Sequence, residues 1–422
     1  MGIQSAMFSG VSGLNTNSQA MSVIGNNLAN TNTIGFKGAR TVFSDLLSST
    51  VNGSGGFSQV GRGVNLSKVD NIFSQGTFEA TSSDTDVAIE GEGFFLLKEP
   101  GNDTTYYSRA GAFRFDEDGY LVNPEGFRVQ GKQFDINGNL IAGDPKDIQV
   151  TNNGLVPANP TTEMTFNTNL DASSAIPVGG WAAFDPADTG TFNYTASTQI
   201  FDSLGEPHLL SMFWRINDPA TNTWDTFYVI EDAGVQANGP QLTFETDGTL
   251  PDTDGDGFPN PVPFDINNID WGNGSDPSNI TVNFDCTQFD SESLVIAQDQ
   301  NGYGAGNLTN TAINSEGIVV ATYSNGEQVK IAQLVLGKFK NPNGLELAGS
   351  NMFTASQNSG VPRVGLPGPE LGKIFTNSLE QSNVDMGQEF VKMITIQRGF
   401  QANSKIISTV DELLGELINL KR

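Results

Sequence analysis

Apolar side chains return every three or four positions through the last part of the chain, residues 383–422. One series stands seven residues apart and a second falls between its members: Met386, Met393, Phe400, Ile407 and Leu414, then Ile396, Val410 and Leu417. Because about 3.6 residues make a helical turn, both series lie on one helix face. No proline follows Pro369 to break the helix, and the charged residues along it argue against a membrane span. The pattern predicts a long amphipathic helix that needs a partner.

The first 28 residues show the same spacing and predict that partner. The apolar positions are Met7, Leu14, Met21 and Leu28, with Ile3 and Ile24 between them. Two ends with heptad spacing favour a coiled-coil-like pairing of 1–32 with 383–422 as a terminal helical domain. The alternative is that each end caps an ordinary globular core. Glycines at 10, 13 and 25 weaken the first helix by ~1 kcal/mol each, so we expect the pair to be ordered mainly when it packs against more surface.

Between the two ends the hydrophobic period changes to two, which is typical of β-strands. Phe113 and Phe115 alternate with polar residues, and Asp118-Gly119 then supplies a tight hairpin turn. We expect an inner antiparallel β domain from 76–148 and 297–365. The segment 149–296 holds all four tryptophans and predicts an inserted outer β domain with its own core. Residues 33–75 and 366–382 predict a connector, partly ordered despite its Gly/Ser-rich stretch.

The fold class that follows is mixed α and β with several domains: a discontinuous terminal α-helical coiled-coil domain carries nested antiparallel β domains. The chain is acidic, with 48 Asp and Glu against 21 Lys and Arg and a formal net charge of −27. This balance argues against nucleic acid or an anionic membrane as a partner. One cysteine excludes an intrachain disulfide and a cysteine-cluster metal site. The N-terminal residues lack the features of a cleavable secretory signal, and no apolar run reaches the length of a membrane span.

Catalysis finds little support in the sequence. A nucleophile–base pair could use only His208, the single histidine, whose position between Pro207 and Leu209 favours a structural role at a strand edge. Cys286 lies in an alternating stretch and is interpreted as a small core residue rather than a nucleophile. We therefore expect no enzyme activity, no catalytic residue and no cofactor.

One acidic stretch is similar to a calcium loop. Asp252, Asp254 and Asp256, followed by Asn260, place oxygen ligands at positions 1, 3, 5 and 9 of such a loop, with glycine at position 6. Position 12 is Pro263 rather than a bidentate glutamate, and the flanks are not helical. A solvated turn is the favoured interpretation, and a shorter calcium site is the alternative.

Four short stretches, in a fixed order, are the most specific feature of the chain. They are NNLANTNTIGFK at 26–37, DVAIEGEGFF at 86–95, YSRAGAF at 107–113 with DGYLVN at 118–123, and LEQSNVD at 379–385 with QRGFQAN at 397–403. These stretches resemble the motifs of the bacterial flagellar axial proteins, the rod and hook family. Four such motifs on one chain form a far more specific signal than any one alone.

The resemblance implies a structural subunit that self-assembles into the flagellar hook, the flexible curved tube between the basal-body rod and the filament, for swimming motility. It implies the following partners: other copies of the chain, the rod, hook-cap and hook–filament junction proteins, and the flagellar type III export apparatus. It also implies an extracellular place on the basal body, reached without a cleavable signal. A distal rod protein of the same family is the near alternative, which the large insertion disfavours. An alternative from another class is a secreted β-rich calcium-binding or carbohydrate-active protein.

Overall fold

The computed structural model describes residues 2–46, 49–53, 56–135, 138–150, 155–177, 184–218, 220–253 and 257–420. The chain divides into two compact units. The first comprises Met1–Thr151, Thr311–Ala321 and Val329–Arg422, and the second comprises Asn152–Asn310 and Thr322–Gln328. The described residues form two long helices and thirty strands, so the fold is mixed α and β and mostly β. The four-part division predicted above is finer than these two units and stays a prediction.

The two helices lie at the ends of the chain. Helix α1 spans Gly2–Ala29 and helix α2 spans Met386–Leu420. Asp385 caps α2, because its Oδ1 accepts the N–H of Gln388 at 2.9 Å. Neither described helix combines the length and the apolar character that a membrane span requires.

The strands follow in chain order. Those before the second unit are β1 Ala39–Asp45, β2 Ser49–Gly53, β3 Gly56–Val60, β4 Val64–Asn71, β5 Phe78–Ala80, β6 Val87–Glu90, β7 Phe94–Lys98, β8 Thr105–Ser108, β9 Arg114–Phe115, β10 Leu121–Val122, β11 Arg128–Gln133 and β12 Lys146–Asp147. Those of the second unit are β13 Leu155–Val156, β14 Glu163–Asp171, β15 Tyr194–Phe201, β16 Pro207–Asp218, β17 Thr223–Ile230, β18 Val235–Thr243, β19 Val262–Ile269, β20 Ser278–Phe289 and β21 Leu294–Gln300.

Three further strands have residues in both units, and six complete the first unit. They are β22 Gly306–Ile313, β23 Ile318–Tyr323 and β24 Gln328–Leu334, then β25 Leu336–Lys338, β26 Glu346–Gly349, β27 Met352–Thr354, β28 Arg363–Gly365, β29 Lys373–Thr376 and β30 Ser378–Glu380. One turn of 3-10 helix, Pro342–Gly344, lies between β25 and β26.

Strand pairing in the first unit brings the two ends of its β region together. Strand β7 pairs with β8, β11 and β25 at the centre of the main sheet. Outside that sheet, β6 pairs with β29 and β5 pairs with β30. The segment that enters the β region from α1 therefore runs beside the segment that leaves it for α2. The segment predicted as a connector contains β1 to β4, with β1 antiparallel to β4 and β2 antiparallel to β3.

Alternating side chains of these strands form the core of the first unit. One cluster contains buried Val87, Ile89, Phe95, Leu97 and Leu121, and a second forms around Phe94 and Phe353. Successive strand residues point to opposite faces. Phe94 and Phe95 therefore serve different clusters although they are neighbours in the sequence.

The second unit consists mainly of two four-stranded sheets with a shared aromatic core. The sheet orders are β19-β20-β14-β21 and β15-β16-β17-β18. Fully buried Phe166 of the first sheet contacts Trp214 of the second edge-to-face, with ring centroids 5.8 Å apart. Trp214, Trp224 and Trp271 all belong to this core, while Trp181 lies outside the described residues.

One strand pair of the second unit corrects the prediction of antiparallel β structure. Strand β14 pairs in parallel with β20 along the whole length of β14, with Phe166 opposite Phe284. The paired residues are 118 positions apart in the chain, as Asn167 and Asp285 are. No hairpin turn connects the two strands, so none requires them to be antiparallel.

The aromatic core predicts the cost of one truncation. We expect Phe166→Ala to lower the free energy of unfolding of the second unit by about 3–5 kcal/mol, because it opens a cavity beside Trp214 and Phe284. Denaturant titration followed by tryptophan fluorescence measures this loss. Phe258→Ala is the control, since Phe258 is 70% exposed in the same unit, and we expect a loss below about 1 kcal/mol. Equal losses in the two variants would contradict the described core.

Candidate functional site

Helix α1 contacts α2 along a stripe of small and polar residues. The buried positions of α1 recur three or four apart and are Gly10, Gly13, Thr16, Ala20, Ile24 and Asn27. A Cβ atom added at Gly13 would lie 2.5 Å from Nδ2 of Asn403, and one added at Gly10 would lie 3.1 Å from Cγ1 of Ile407. The distance between packed helices depends on the side chains at the contact. Glycine at these positions therefore allows α2 to lie closer than any larger residue would.

The two helices oppose glycine and asparagine reciprocally. Gly13 of α1 faces Asn403 of α2, and Gly399 of α2 faces Asn17 of α1, where an added Cβ would lie 3.1 Å from Nδ2. A polar residue inside a helix–helix contact fixes the register of the pair, because other registers leave the amide without space or partners. We call the contact formed by the stripe and these two Gly–Asn pairs the helix seam.

Asn27 connects the helix seam to β1. Its Nδ2 donates to the carbonyl of Ala39 at 2.7 Å, and its Oδ1 accepts the N–H of Ala39 at 2.9 Å. The same Nδ2 lies 3.2 Å from Oε2 of Glu389 on α2, and Lys392 donates to Oε1 of Glu389 at 2.6 Å. One buried amide thus joins α1, β1 and α2, so the backbone groups of Ala39 stay paired.

The fourteen apolar positions given above for the two terminal helices, which we also expect to take part in self-assembly, differ in their exposure. Ile24 and Val410 are buried. The partly buried ones are Leu14, Met21, Leu28, Met393, Ile396, Ile407 and Leu414, and the exposed ones are Met7, Met386 and Phe400. Ile3 and Leu417 lie within the helices, and their side chains lie outside the described residues. The role of all fourteen in self-assembly stays a prediction.

Other apolar side chains of the two helices are exposed. They are Phe8 and Val11 on α1 and Phe390, Val391, Ile394, Ile406 and Leu413 on α2. Phe8 and Val11 line a groove of about 830 Å³ together with Ser12, Leu14, Asn15, Leu46, Arg62 and Phe400. Apolar surface of this kind on a folded chain marks an interaction site.

A cluster of three buried charges joins the loop after α1, the inner β core and the strand before α2. Lys37 Nζ lies 2.6 Å from Oε1 of Glu380, and Arg109 Nη1 lies 3.4 Å from Oε2. All three side chains are at least 98% buried. Lys37 also donates to the carbonyl of Ser74 at 2.9 Å, and Arg109 donates to that of Gly91 at 2.6 Å. We call these three residues the charge cluster.

The charge cluster carries two cations and one anion away from water. Burial lowers the pKa of Lys37, and Glu380 opposes this shift by its negative charge and its hydrogen bond. Burial also lowers the pKa of Arg109, and Glu380 again opposes this shift without reversing it. Removing the single anion would leave both cations buried without compensation. The burial of Lys37 and Arg109 as charged groups therefore depends on Glu380.

The motifs that hold the charge cluster are evident in the sequence, but the role of these three residues is not. Lys37 ends the first motif, Arg109 lies in the third and Glu380 in the fourth. The available signal was that Lys37 and Arg109 are the only charged residues in 26–37 and 107–113. Recognising the cluster requires the tertiary contacts of Gly35. Its N–H donates to the carbonyl of Glu380 at 2.7 Å, and a Cβ added to it would lie 2.6 Å from the backbone nitrogen of Ala110.

The predicted calcium loop lies partly outside the described residues. Asp254 and Asp256 are not among them. The carboxylate of Asp252 accepts the N–H of Gly257 at 2.9 Å, and the side chain of Asn260 accepts the N–H of Thr253 at 2.6 Å. Calcium binding here stays a prediction.

Cys286 and His208 lie in the second unit. Cys286 is buried in β20 and belongs to the aromatic core, and burial raises the pKa of its thiol to about 12. A thiol with so high a pKa is almost entirely protonated at neutral pH and is a poor nucleophile. His208 is buried near the start of β16.

Four family models match successive parts of the chain. They are described as Flagella basal body rod protein at residues 7–37, Flagellar hook protein FlgE/F/G D1 domain at 88–158, Flagellar basal body protein FlaE D2 domain at 169–303, and Flagellar basal body rod FlgEFG protein C-terminal at 376–420. The first and last include most of α1 and α2.

Curated proteins match over nearly the whole length. The chain is 36% identical to Flagellar hook protein FlgE of Borreliella burgdorferi, with 99% of each chain covered. It is 34% identical to the protein of the same name from Treponema pallidum, also with 99% of each covered. It is 33% identical to that of Escherichia coli, with 97% of this chain and 98% of that protein covered.

A solved structure has a similar fold. The Helicobacter pylori flagellar hook protein FlgE2 matches with a TM-score of 0.53 and 15% identity, covering 72% of this chain and 99% of that one. At this identity the match concerns the fold alone.

The helix seam predicts opposite effects for two glycines of α1. We expect Gly13→Leu to destabilise the pairing of the helices by roughly 1–3 kcal/mol, because the added side chain collides with Asn403. Gly25→Leu is the matched control, since a Cβ there meets nothing within 4 Å, and it should stabilise α1 by up to ~1 kcal/mol. Amide hydrogen exchange of α1 and α2 measures both. Equal protection in the two variants would contradict the seam.

The charge cluster predicts a large cost for removing its anion. We expect Glu380→Gln to lower the free energy of unfolding of the first unit by about 3–5 kcal/mol, because Lys37 and Arg109 stay buried without a counter-charge. Glu370→Gln is the control, since Glu370 pairs with Arg363 at the surface with both side chains mostly exposed. It should cost less than about 1 kcal/mol. Thermal melts followed by circular dichroism compare them, and similar midpoints would refute the predicted dependence on Glu380.

Proposed function

This chain belongs to the flagellar hook protein family, and we propose that it builds the hook through the exposed apolar surfaces of its terminal helices. It is a structural subunit of the hook and not an enzyme. Copies of the chain assemble into a polymer, and the polymer is part of the flagellum.

The observation that carries the proposal is the apolar surface that remains after α1 and α2 have paired. Val391 and Ile394 of α2 are 65% and 51% exposed, and Phe8 of α1 is 62% exposed. Burial of apolar surface stabilises a contact by about 25 cal/mol for each Å² removed from water. Contact with neighbouring copies of the chain would bury these side chains. The groove of about 830 Å³ that is lined by Phe8 and Phe400 could accept an apolar side chain of another copy.

The geometry of such a contact decides the form of the assembly. Two different surfaces of one chain, repeated from copy to copy without closing into a ring, generate a helical polymer. We assign residues 1–32 and 383–422 to a terminal helical polymerisation domain with coiled-coil-like packing. The self-assembly residues of this domain are Ile3, Met7, Leu14, Met21, Ile24, Leu28, Met386, Met393, Ile396, Phe400, Ile407, Val410, Leu414 and Leu417.

The β regions are acidic and polar, which suits surfaces that move past one another in neighbouring copies. The chain carries a formal net charge of −27, whereas no charged residue precedes Lys37 in and after α1. Acidic surfaces on neighbouring copies repel each other weakly in salt solution and do not lock as apolar surfaces do. Strong contacts between helices and weak contacts between β regions would let a tube bend without breaking.

The remaining partners follow from the place of a hook between rod and filament. We propose contacts with the rod, hook-cap and hook–filament junction proteins, and passage through the flagellar type III export apparatus to an extracellular position on the basal body. Nucleic acid is not among the proposed partners, because the acidic balance of the chain opposes binding to phosphates.

The two alternatives have less support. A distal rod protein is not favoured, since the relatives that match over 97–99% of this chain are named hook proteins, and the matched D2 domain at 169–303 fills the large insertion. A secreted calcium-binding protein would need a site that the sequence only resembles at Asp252, where position 12 is Pro263.

The test compares two exposed valines. We expect Val391→Glu to prevent assembly, because a charge on the exposed face of α2 would be buried without a partner between copies. Val361→Glu makes the same chemical change at a residue that is 91% exposed in the loop before β28, and it should assemble as the unchanged chain does. Electron microscopy and sedimentation after concentration measure the polymer.

Circular dichroism of the monomers separates a failure to assemble from a failure to fold. Both variants should melt within a degree or two of the unchanged chain, since surface substitutions alter stability by less than about 0.5 kcal/mol. Normal polymers from Val391→Glu would refute the proposed role of the α2 surface, and loss of assembly in Val361→Glu alone would transfer that role to the β region.

A further inference from the structure

A histidine and two carboxylates meet at the turn between β15 and β16 in the second unit. One ligand atom from each of Asp202, Glu206 and His208 lies within 4.8 Å of the others. The turn holds Asp202 in place, because its Oδ1 accepts the N–H groups of Leu204 and Glu206 at 3.0 and 2.8 Å. The Asp202 side chain is fully buried, so the cost of its negative charge must be met locally.

His208 has a fixed orientation within this cluster. Its Nδ1 lies 3.0 Å from Oδ2 of Asp232. Its ring stacks on that of Trp271, with centroids 4.0 Å apart and an interplanar angle of 14°. In the neutral imidazole only one nitrogen carries a proton. The carboxylate of Asp232 accepts the Nδ1 proton, so the lone pair of Nε2 points away from Asp232.

The Nε2 atom of His208 is buried and aimed at Asp202. The side chain is 95% buried, as its relative exposure is 5%, and within the described part of the chain Nε2 has no hydrogen-bond partner. It lies 3.6 Å from Oδ2 of Asp202. In the neutral form of His208 both Nε2 and Oδ2 of Asp202 are acceptors, so either a proton on Nε2 or a metal ion between the two atoms would pair them.

The distance fits a metal ion. Zinc binds histidine nitrogen at about 2.0–2.1 Å and carboxylate oxygen at about 2.0–2.2 Å with tetrahedral angles, which places two ligand atoms about 3.4 Å apart. The 3.6 Å between Nε2 and Oδ2 is close to that spacing. A histidine whose other nitrogen donates to a carboxylate is the usual form of a metal-ligating histidine, and Asp232 supplies that carboxylate.

We propose that Asp202, Glu206 and His208 bind a divalent transition-metal ion of the zinc type, with Asp232 as the residue that orients His208. Imidazole favours Zn²⁺, Cu²⁺ or Ni²⁺ over Ca²⁺ and Mg²⁺, which distinguishes this site from the acidic loop at Asp252. Nδ2 of Asn273 donates to Oδ2 of Asp202 at 2.7 Å and to Oε2 of Glu206 at 2.8 Å. The amide brings the two carboxylates together, and a bound ion would replace it as their common partner. The ion would stabilise the second unit and is independent of the role of the helices in assembly.

Calorimetric titration of the full chain with Zn²⁺ tests the proposal. We expect one site per chain, with no comparable heat for Ca²⁺. His208→Gln should abolish binding at this site, and Asp232→Asn should weaken it about 10- to 100-fold, since the ligands stay while the orienting carboxylate is lost. Glu245→Gln is the control, because Glu245 is an exposed acid of the same unit, and it should bind Zn²⁺ as the unchanged chain does.

Cobalt(II) absorption identifies the ligands. We expect the visible bands of a tetrahedral nitrogen and oxygen site, without the charge-transfer band that a thiolate such as Cys286 would give. Equal Zn²⁺ affinity in the unchanged chain and His208→Gln would overturn the proposal, as would a thiolate band. If His208→Gln does not fold, Glu206→Gln replaces it, since Glu206 is exposed, and unchanged Zn²⁺ affinity in that variant would overturn the proposed three-ligand site.

Discussion

The close approach of α1 and α2 is the constraint on which the packing of the two terminal helices depends. It favours glycine at 10, 13 and 399, because a Cβ atom there would lie 3.1 Å or less from a side chain of the opposite helix. Asn403 faces Gly13 and Asn17 faces Gly399, so the two helices fit in one register. The glycines cost helix propensity, and the loss is offset by contact that only a small residue permits. The helix seam therefore contains few large apolar side chains, and many of those on α1 and α2 stay exposed.

The helices reach the β core through polar contacts rather than through a continuous apolar layer. Asn27 joins α1 to β1 and α2, and Asn383 accepts the N–H of Gly38 at 2.8 Å and donates to the carbonyl of Ile72 at 2.7 Å. The charge cluster lies beyond them, with Glu380 between Lys37 and Arg109. A buried polar group without a partner costs free energy, so these contacts favour one geometry over others. The direction in which the helices leave the β core is therefore set by a few amides and one carboxylate.

The sequence predicted the helices and the β region well, since both depend on periodicity that a single chain displays. The two helices, the aromatic core of the second unit and the hairpin at Asp118-Gly119 all follow from spacing and turn residues. The parallel pair β14–β20 could not be predicted, because no local signal sets the direction of strands so distant in sequence. The role of the glycines in the helix seam was not predicted, because small residues give no hydrophobic signal. The cluster at His208 was missed because Asp232 joins it only through the pairing of β16 with β17, and Asn273 joins it from the other sheet of the second unit.

Asn27 and Glu389 are in contact although they are 362 positions apart in the chain. This separation bears on the order in which the parts of the chain fold. Closing a flexible loop of that length costs about 5 kcal/mol of chain entropy, whereas most hairpins of the β units close over far shorter stretches. We expect the β units to form first, since local contacts are made before distant ones, and to shorten the loop that the helices must then close. A subunit therefore gains its paired helices last, so a newly made chain offers no complete assembly surface until the rest of it has matured.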